Sequence, residues 1–80
     1  MINITVLFFG ATAEIVGARE LEISVEREKK AAAVFEKILA EFPQLKSHAL
    51  LFSVNQSYAN GDETISAGDE LAIFTAVSGG

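Results

Sequence analysis

Ala31-Ala32-Ala33-Val34-Phe35-Glu36-Lys37-Ile38-Leu39-Ala40-Glu41-Phe42 is the stretch on which the fold turns. Ala31, Val34, Phe35, Ile38, Leu39 and Phe42 recur at spacings of three, one, three, one and three, which lines them along one stripe of an α-helix. Glu36, Lys37 and Glu41 fall off the stripe. The spacing predicts a helix over Ala31–Phe42, stopped by Pro43 because the residue before a proline is pushed out of the helical region. The charged run Glu26 to Lys30 reads as a solvated loop leading into it. A helix with one apolar stripe has to bury it against another element, and the flanking sequence supplies a sheet.

Upstream, Ile2 to Phe9 alternates, with Ile2, Ile4, Val6 and Phe8 on one face and Asn3, Thr5, Leu7 and Phe9 on the other. Period two with β-branched and aromatic residues predicts a strand. Gly10 breaks it. Ala11 to Val16 fits a short helical turn with Gly17 as terminator. Glu20 to Val25 alternates again, with Leu21, Ile23 and Val25 inward, so the two strands form a hairpin around the turn. Downstream, Leu51 to Val54 is a short strand with Phe52 and Val54 sharing a face. Asn60-Gly61-Asp62 and Ala67-Gly68-Asp69 are turns, and Tyr58 and Ile65 mark weaker elements. Leu71 to Thr75 is the last strand, with Leu71 and Ile73 on one face and Ala72 and Phe74 on the other. The order is β-β-α-β-β, an α+β arrangement seen in the ubiquitin-like β-grasp fold: a mixed sheet with one main helix across it. Residues 1–75 form the domain and 76–80 a tail. The expected core is Val6, Phe8, Leu21, Ile23, Val34, Phe35, Ile38, Leu39, Phe52, Val54, Leu71 and Ile73.

Eighty residues make one domain with one core, and a chain this short buries only about 60–65 % of its unfolded surface. Half of the residues are hydrophobic and there is no cysteine. That excludes disulfides, thiolate metal sites and thiol catalysis, and it fits a cytoplasmic home. The net charge of −5 argues against nucleic acid or an anionic membrane as partner and suits a protein with a basic face. No segment approaches the ~20 apolar residues of a membrane span, and Met1-Ile2-Asn3-Ile4 does not open a signal peptide.

The usual catalytic constellations do not assemble. The single histidine, His48, has no partner motif. Asp69 and Glu70 are adjacent, so in a strand they point to opposite faces, and Asp62 and Glu63 sit at a turn, where polar residues belong anyway. No metal site is expected. The unusual feature is Val77-Ser78-Gly79-Gly80 directly after the last strand. Two residues without side chains make an end that is expected to be thin and flexible and to enter a narrow channel. The Gly80 carboxylate is unhindered, and it is a poor electrophile until activated, for instance by adenylation. By itself such an end reads more readily as a frayed terminus; after the last strand of a β-grasp pattern it reads as a working group.

Val6-Leu7-Phe8-Phe9-Gly10 followed by Glu14-Ile15-Val16-Gly17, then Val54-Asn55-Gln56, Gly68-Asp69-Glu70-Leu71-Ala72 and the terminal Val77-Ser78-Gly79-Gly80 together resemble the small subunit of molybdopterin synthase, the MoaD family, from end to end. Ala13-Glu14-Ile15 and Glu22-Ile23-Ser24-Val25 look closer to its eukaryote-type members. Family members usually carry two prolines where this chain has Thr75-Ala76, so a looser exit of the tail or a longer strand is expected here. The resemblance implies a sulfur carrier. An ATP-dependent activating enzyme, using ATP with Mg, would adenylate Gly80, and a persulfide sulfur donor would convert it to a thiocarboxylate. Val77, Ser78 and Gly79 would enter and bind in the channel of the large catalytic subunit, in an expected heterotetramer. There sulfur would pass to a cyclic pyranopterin phosphate to build the molybdopterin dithiolene. General catalytic groups would sit on the large subunit, this chain binding no cofactor and supplying sulfur and docking surface. Rival readings are a thiamine- or tRNA-pathway sulfur carrier, a ubiquitin-like protein modifier, and a plain interaction module. The thiamine-pathway carriers are usually shorter and lack the Phe8-Phe9-Gly10 to Gly17 insertion. Leu7, Phe9 and Phe74 fall opposite the expected core, so they are expected to form a partly exposed apolar patch for a partner. The other account is local packing under the Ala11–Val16 turn.

Overall fold

The computed structural model describes residues 1–75. The elements are β1 (Ile2–Phe8), α1 (Ala11–Val16), β2 (Glu20–Val25), α2 (Ala31–Glu41), a 3₁₀ turn (Pro43–Ser47), β3 (Leu50–Val54), β4 (Ser57–Tyr58) and β5 (Glu70–Thr75). They build a five-stranded mixed sheet in the order β2-β1-β5-β3-β4. β1 and β5, first and last in the chain, lie parallel at its centre; the remaining pairs are antiparallel. This is the β-β-α-β-β order read from the sequence with one addition, the two-residue β4 ahead of the last strand, and the main helix lies where expected. The helix ends at Glu41, one residue early, because Phe42 precedes Pro43 and takes an extended φ of −125°. Gly17 terminates α1 in the left-handed conformation at φ 84°.

The core lies between α2 and one face of the sheet. Ile4, Val6 and Phe8 of β1 and Leu71 and Ile73 of β5 are buried there, beneath Ala31, Val34, Phe35 and Ile38 of α2. Aromatic contacts tie the layers: Phe35 meets Phe52 at 4.3 Å between ring centroids, and Phe8 meets Phe42 edge-on at 6.1 Å. Five residues expected in the core are only half-buried: Leu21, Ile23, Leu39, Phe52 and Val54. An eleven-residue helix covers the two central strands, and the flanking strands β2 and β3 extend past its edge. Leu45 and Ile65, outside the expected core, are fully buried. Each sits in an irregular segment that has no periodicity to reveal it.

The N-terminus of α2 has no side-chain cap. Its first amide groups donate instead to the loop before β5, from Ala31 N to the Glu63 carbonyl (2.8 Å) and from Ala32 N to that of Gly61 (3.1 Å). Two of the donors that a helix start leaves unpaired are thus satisfied by distant chain. The same loop is held in shape by the Glu63 carboxylate, which accepts from Asn60 N (2.8 Å) and Gly61 N (3.0 Å). The N–H of Asn60, followed by those of Glu63 itself and Gly61, keeps this carboxyl below its ordinary value against a small opposing effect of burial.

Candidate functional site

Alternation gives every strand a second face, and in this sheet α2 covers only the first. On the open face, Leu7 of β1 stands in register with Ala72 of β5, Leu51 of β3 with Phe74, and Ser53 with Tyr58 of β4. Tyr58 and Phe74 approach to 6.1 Å between ring centroids. Exposure confirms that the patch is apolar and uncovered: Tyr58 is 75 % exposed, Phe9 52 % and Leu51 37 %, while Leu7 and Phe74 are half-buried. Leu7 and Phe9 also border an open groove shared with Gly10, Ala11 and Glu14, so α1 walls one margin of the patch without roofing it. Carboxylates mark another margin. Glu20 pairs with Leu7, and Glu22 and Glu70 flank Thr5 from either side.

Leu7, Phe9 and Phe74 are therefore brought to one face, as alternation required. Leu51 and Tyr58 join them unannounced. Leu51 was legible as the residue of β3 facing away from Phe52 and Val54; Tyr58 sits in a two-residue strand that carries no period. Val77, Ser78, Gly79 and Gly80 lie outside the described residues, as does Ala76. The strand that leads to them does not: β5 ends at Thr75, between β1 and β3 and beside the patch.

Two of the sequence motifs meet at the opposite end of β5. Asn55 and Gln56 form the β3–β4 turn, both at positive φ (49° and 71°), the mark of a type I′ hairpin. The Asn55 side chain accepts from Glu70 N (3.0 Å) and donates to Asp69 (3.2 Å), and Asn55 N donates to the Glu70 carbonyl (2.7 Å). Val54-Asn55-Gln56 and Gly68-Asp69-Glu70 are one structural unit that fixes the start of β5. Asp69 further accepts from Ser66 N at 2.7 Å. These acidic residues hold turns, and His48 is exposed at the end of the 3₁₀ turn. Among the described residues no three His, Cys, Asp or Glu side chains are grouped to hold a metal, and no helix is long and apolar enough to cross a membrane.

The family model described as ThiS matches residues 6–80. The chain belongs to the ThiS family. It is 36 % identical to the human "Molybdopterin synthase sulfur carrier subunit", over 98 % of this chain and 94 % of that one. The protein of the same name from Caenorhabditis elegans is also 36 % identical, with both chains covered in full. Among solved structures, SAMP1 from Haloferax volcanii superposes with a TM-score of 0.83 at 26 % identity, over 98 % of this chain and 99 % of that one. The resemblance to the molybdopterin synthase small subunit and the β-grasp architecture both hold. In this ThiS-family chain the described residues hold no grouped catalytic set beside the patch. What the geometry offers is an open apolar face and a last strand that ends beside it at Thr75.

Proposed function

We propose that the chain is the sulfur carrier subunit of a molybdopterin synthase, with Gly80 as its working residue. The observation that carries this reading is the full-length likeness to two sulfur carrier subunits in a chain ending Ser78-Gly79-Gly80. Adenylation of the Gly80 carboxylate by an ATP- and Mg-dependent activating enzyme gives its carbonyl carbon a good leaving group. The terminal sulfur of a persulfide donor attacks that carbon and expels AMP, giving an acyl disulfide. A second thiol of the donor then breaks its S–S bond, forming a disulfide and leaving a thiocarboxylate, a soft nucleophile on a protein handle. The open face of Leu7, Phe9, Leu51, Tyr58 and Phe74 docks the large catalytic subunit, and binding energy from that remote contact positions the sulfur for a cyclic pyranopterin phosphate. The carboxylates of Glu20, Glu22 and Glu70 at its margin select a partner surface with basic residues around an apolar centre. A cytoplasmic location goes with this reading.

The likeness to SAMP1, elsewhere named a small archaeal modifier protein, supports a second reading. There the same activated carbonyl is passed to a lysine amine. Incubation with ATP, an activating enzyme and a sulfide source separates the two. Sulfur carriage raises the intact mass by about 16 Da, one carboxylate oxygen exchanged for sulfur; modification yields isopeptide-linked products instead. Deleting Gly80 abolishes sulfur transfer while leaving the fold and the docked complex intact. A Gly80-deleted chain that still supports pterin sulfuration with purified partners refutes the carrier reading.

A further inference from the structure

Thr12 is a polar side chain with no exposed surface, set in a six-residue helix. Burying a hydroxyl is unfavourable unless it is hydrogen-bonded, and this one is bonded across the fold. Its Oγ1 lies 2.8 Å from the carbonyl oxygen of Phe9 and 2.8 Å from that of Ile73, sixty-one positions away. A hydroxyl has one proton to donate, so it is shared between the two carbonyls in a three-centre bond.

The position of that bond matters more than its strength. β1 and β5 pair in parallel from Thr5↔Glu70 to Phe8↔Ile73. Rungs run from Thr5 N to the Asp69 carbonyl (3.0 Å) and, at the far end, from Phe9 N to the Ile73 carbonyl (3.3 Å). The evenly spaced parallel pattern would next bring Thr75 N to the Phe9 carbonyl. That oxygen instead accepts from Thr12, through both its amide (3.3 Å) and its hydroxyl. Thr12 therefore stands at the place of the next rung. It closes the ladder at Ile73 and fixes where β5 parts from β1, two residues before the end of the strand at Thr75. A valine of the same shape would fill the space but could not join the two strands.

We propose that Thr12 is a positioning residue for the reactive C-terminus: its hydroxyl, by tying the Phe9 and Ile73 carbonyls, sets the point and direction from which the last strand hands over to the tail. This rests on the sulfur-carrier reading of Gly80. Thr12→Val removes the bond and keeps the shape; Thr12→Ser keeps the bond and removes a methyl group. In the full chain, Thr12→Val is expected to raise amide hydrogen exchange at Ile73 and Phe74 by about five-fold, the equivalent of one net hydrogen bond, with Ile4 and Val6 unchanged. Its affinity for the large subunit stays within about two-fold, since the docking face is untouched, while single-turnover sulfur transfer in the preformed complex slows by about five-fold or more. Thr12→Ser transfers at nearly the parental rate although it loses packing. If Thr12→Val does not fold, Thr12→Ala against Thr12→Ser makes the same comparison. Transfer by Thr12→Val at the parental rate, or an equal loss in Thr12→Ser, overturns the proposal and reduces Thr12 to packing. A parental chain that forms no thiocarboxylate with ATP, activating enzyme and sulfide overturns the carrier reading itself and this role with it.

Discussion

The two faces of the sheet are made by the same strands and differ in nearly everything else. On β1, Ile4, Val6 and Phe8 point to one side and are buried, while Leu7, and Phe9 just beyond the strand, point to the other and remain accessible. On β5, Leu71 and Ile73 are sealed beneath α2, while Phe74 is half-buried, paired with Leu51 and close to the exposed ring of Tyr58. Both faces are apolar near their centres. Hydrophobicity therefore does not distinguish core from interface in this chain. What does is whether the one long helix lies over it, and the single covered face is the one that holds the fold together. An apolar face left bare in so small a domain is the ordinary mark of a surface that a partner completes.

That contrast can be broken at three places. The largest effect is expected on the covered face. Phe35→Ala removes a nearly buried ring stacked on Phe52 and should cost roughly 3–5 kcal/mol of stability, read as a fall in denaturation midpoint at unchanged slope. A loss below about 1 kcal/mol would mean that α2 is not the lid of the core. Phe74→Asp tests the open face. The melting temperature should move little, while binding of the large subunit weakens by about 2 kcal/mol or more if the ring is an interface anchor. A large fall in stability instead assigns Phe74 to the fold. The smallest effect concerns the loop that caps α2. Backbone N–H groups, that of Asn60 first, hold the Glu63 carboxyl below its ordinary value, so the ionised form is favoured by folding. Its contribution is present above the unfolded value and is lost as pH falls through the folded one. Glu63→Gln should therefore lower stability slightly at neutral pH, where that contribution is present, and lose less on acidification than the parent chain, most visibly in amide exchange at Ala31 and Ala32.

Much of this was legible because it is local. The period-two runs of Ile2–Phe8 and Glu20–Val25, the stripe of Ala31 to Phe42, the stop at Pro43 and the terminator Gly17 each depend on a few neighbouring residues. The candidate site was legible in part for the same reason. Alternation alone put Leu7, Phe9 and Phe74 opposite the core, and two terminal glycines stand out once the preceding strand is recognised. Leu45, Ile65, Tyr58 and Thr12 were not legible, because nothing in their immediate sequence repeats.

The sequence by itself determined the main elements, their order and which side of each long strand is apolar, since side-chain alternation and helical pitch are properties of the backbone. Only the tertiary structure decided what those elements meet. It put β5 beside β1, so the last strand runs parallel to the first at the centre of the sheet. It capped α2 with carbonyls thirty residues downstream, at Gly61 and Glu63. It turned a buried threonine into a closing bond to a carbonyl sixty-one positions away, where β1 and β5 part. These are hydrogen bonds between groups distant in sequence, and every residue offers the same backbone donor and acceptor. The identity of a residue cannot say which distant group its amide or carbonyl will find; that is settled when the helix and the sheet close on one another.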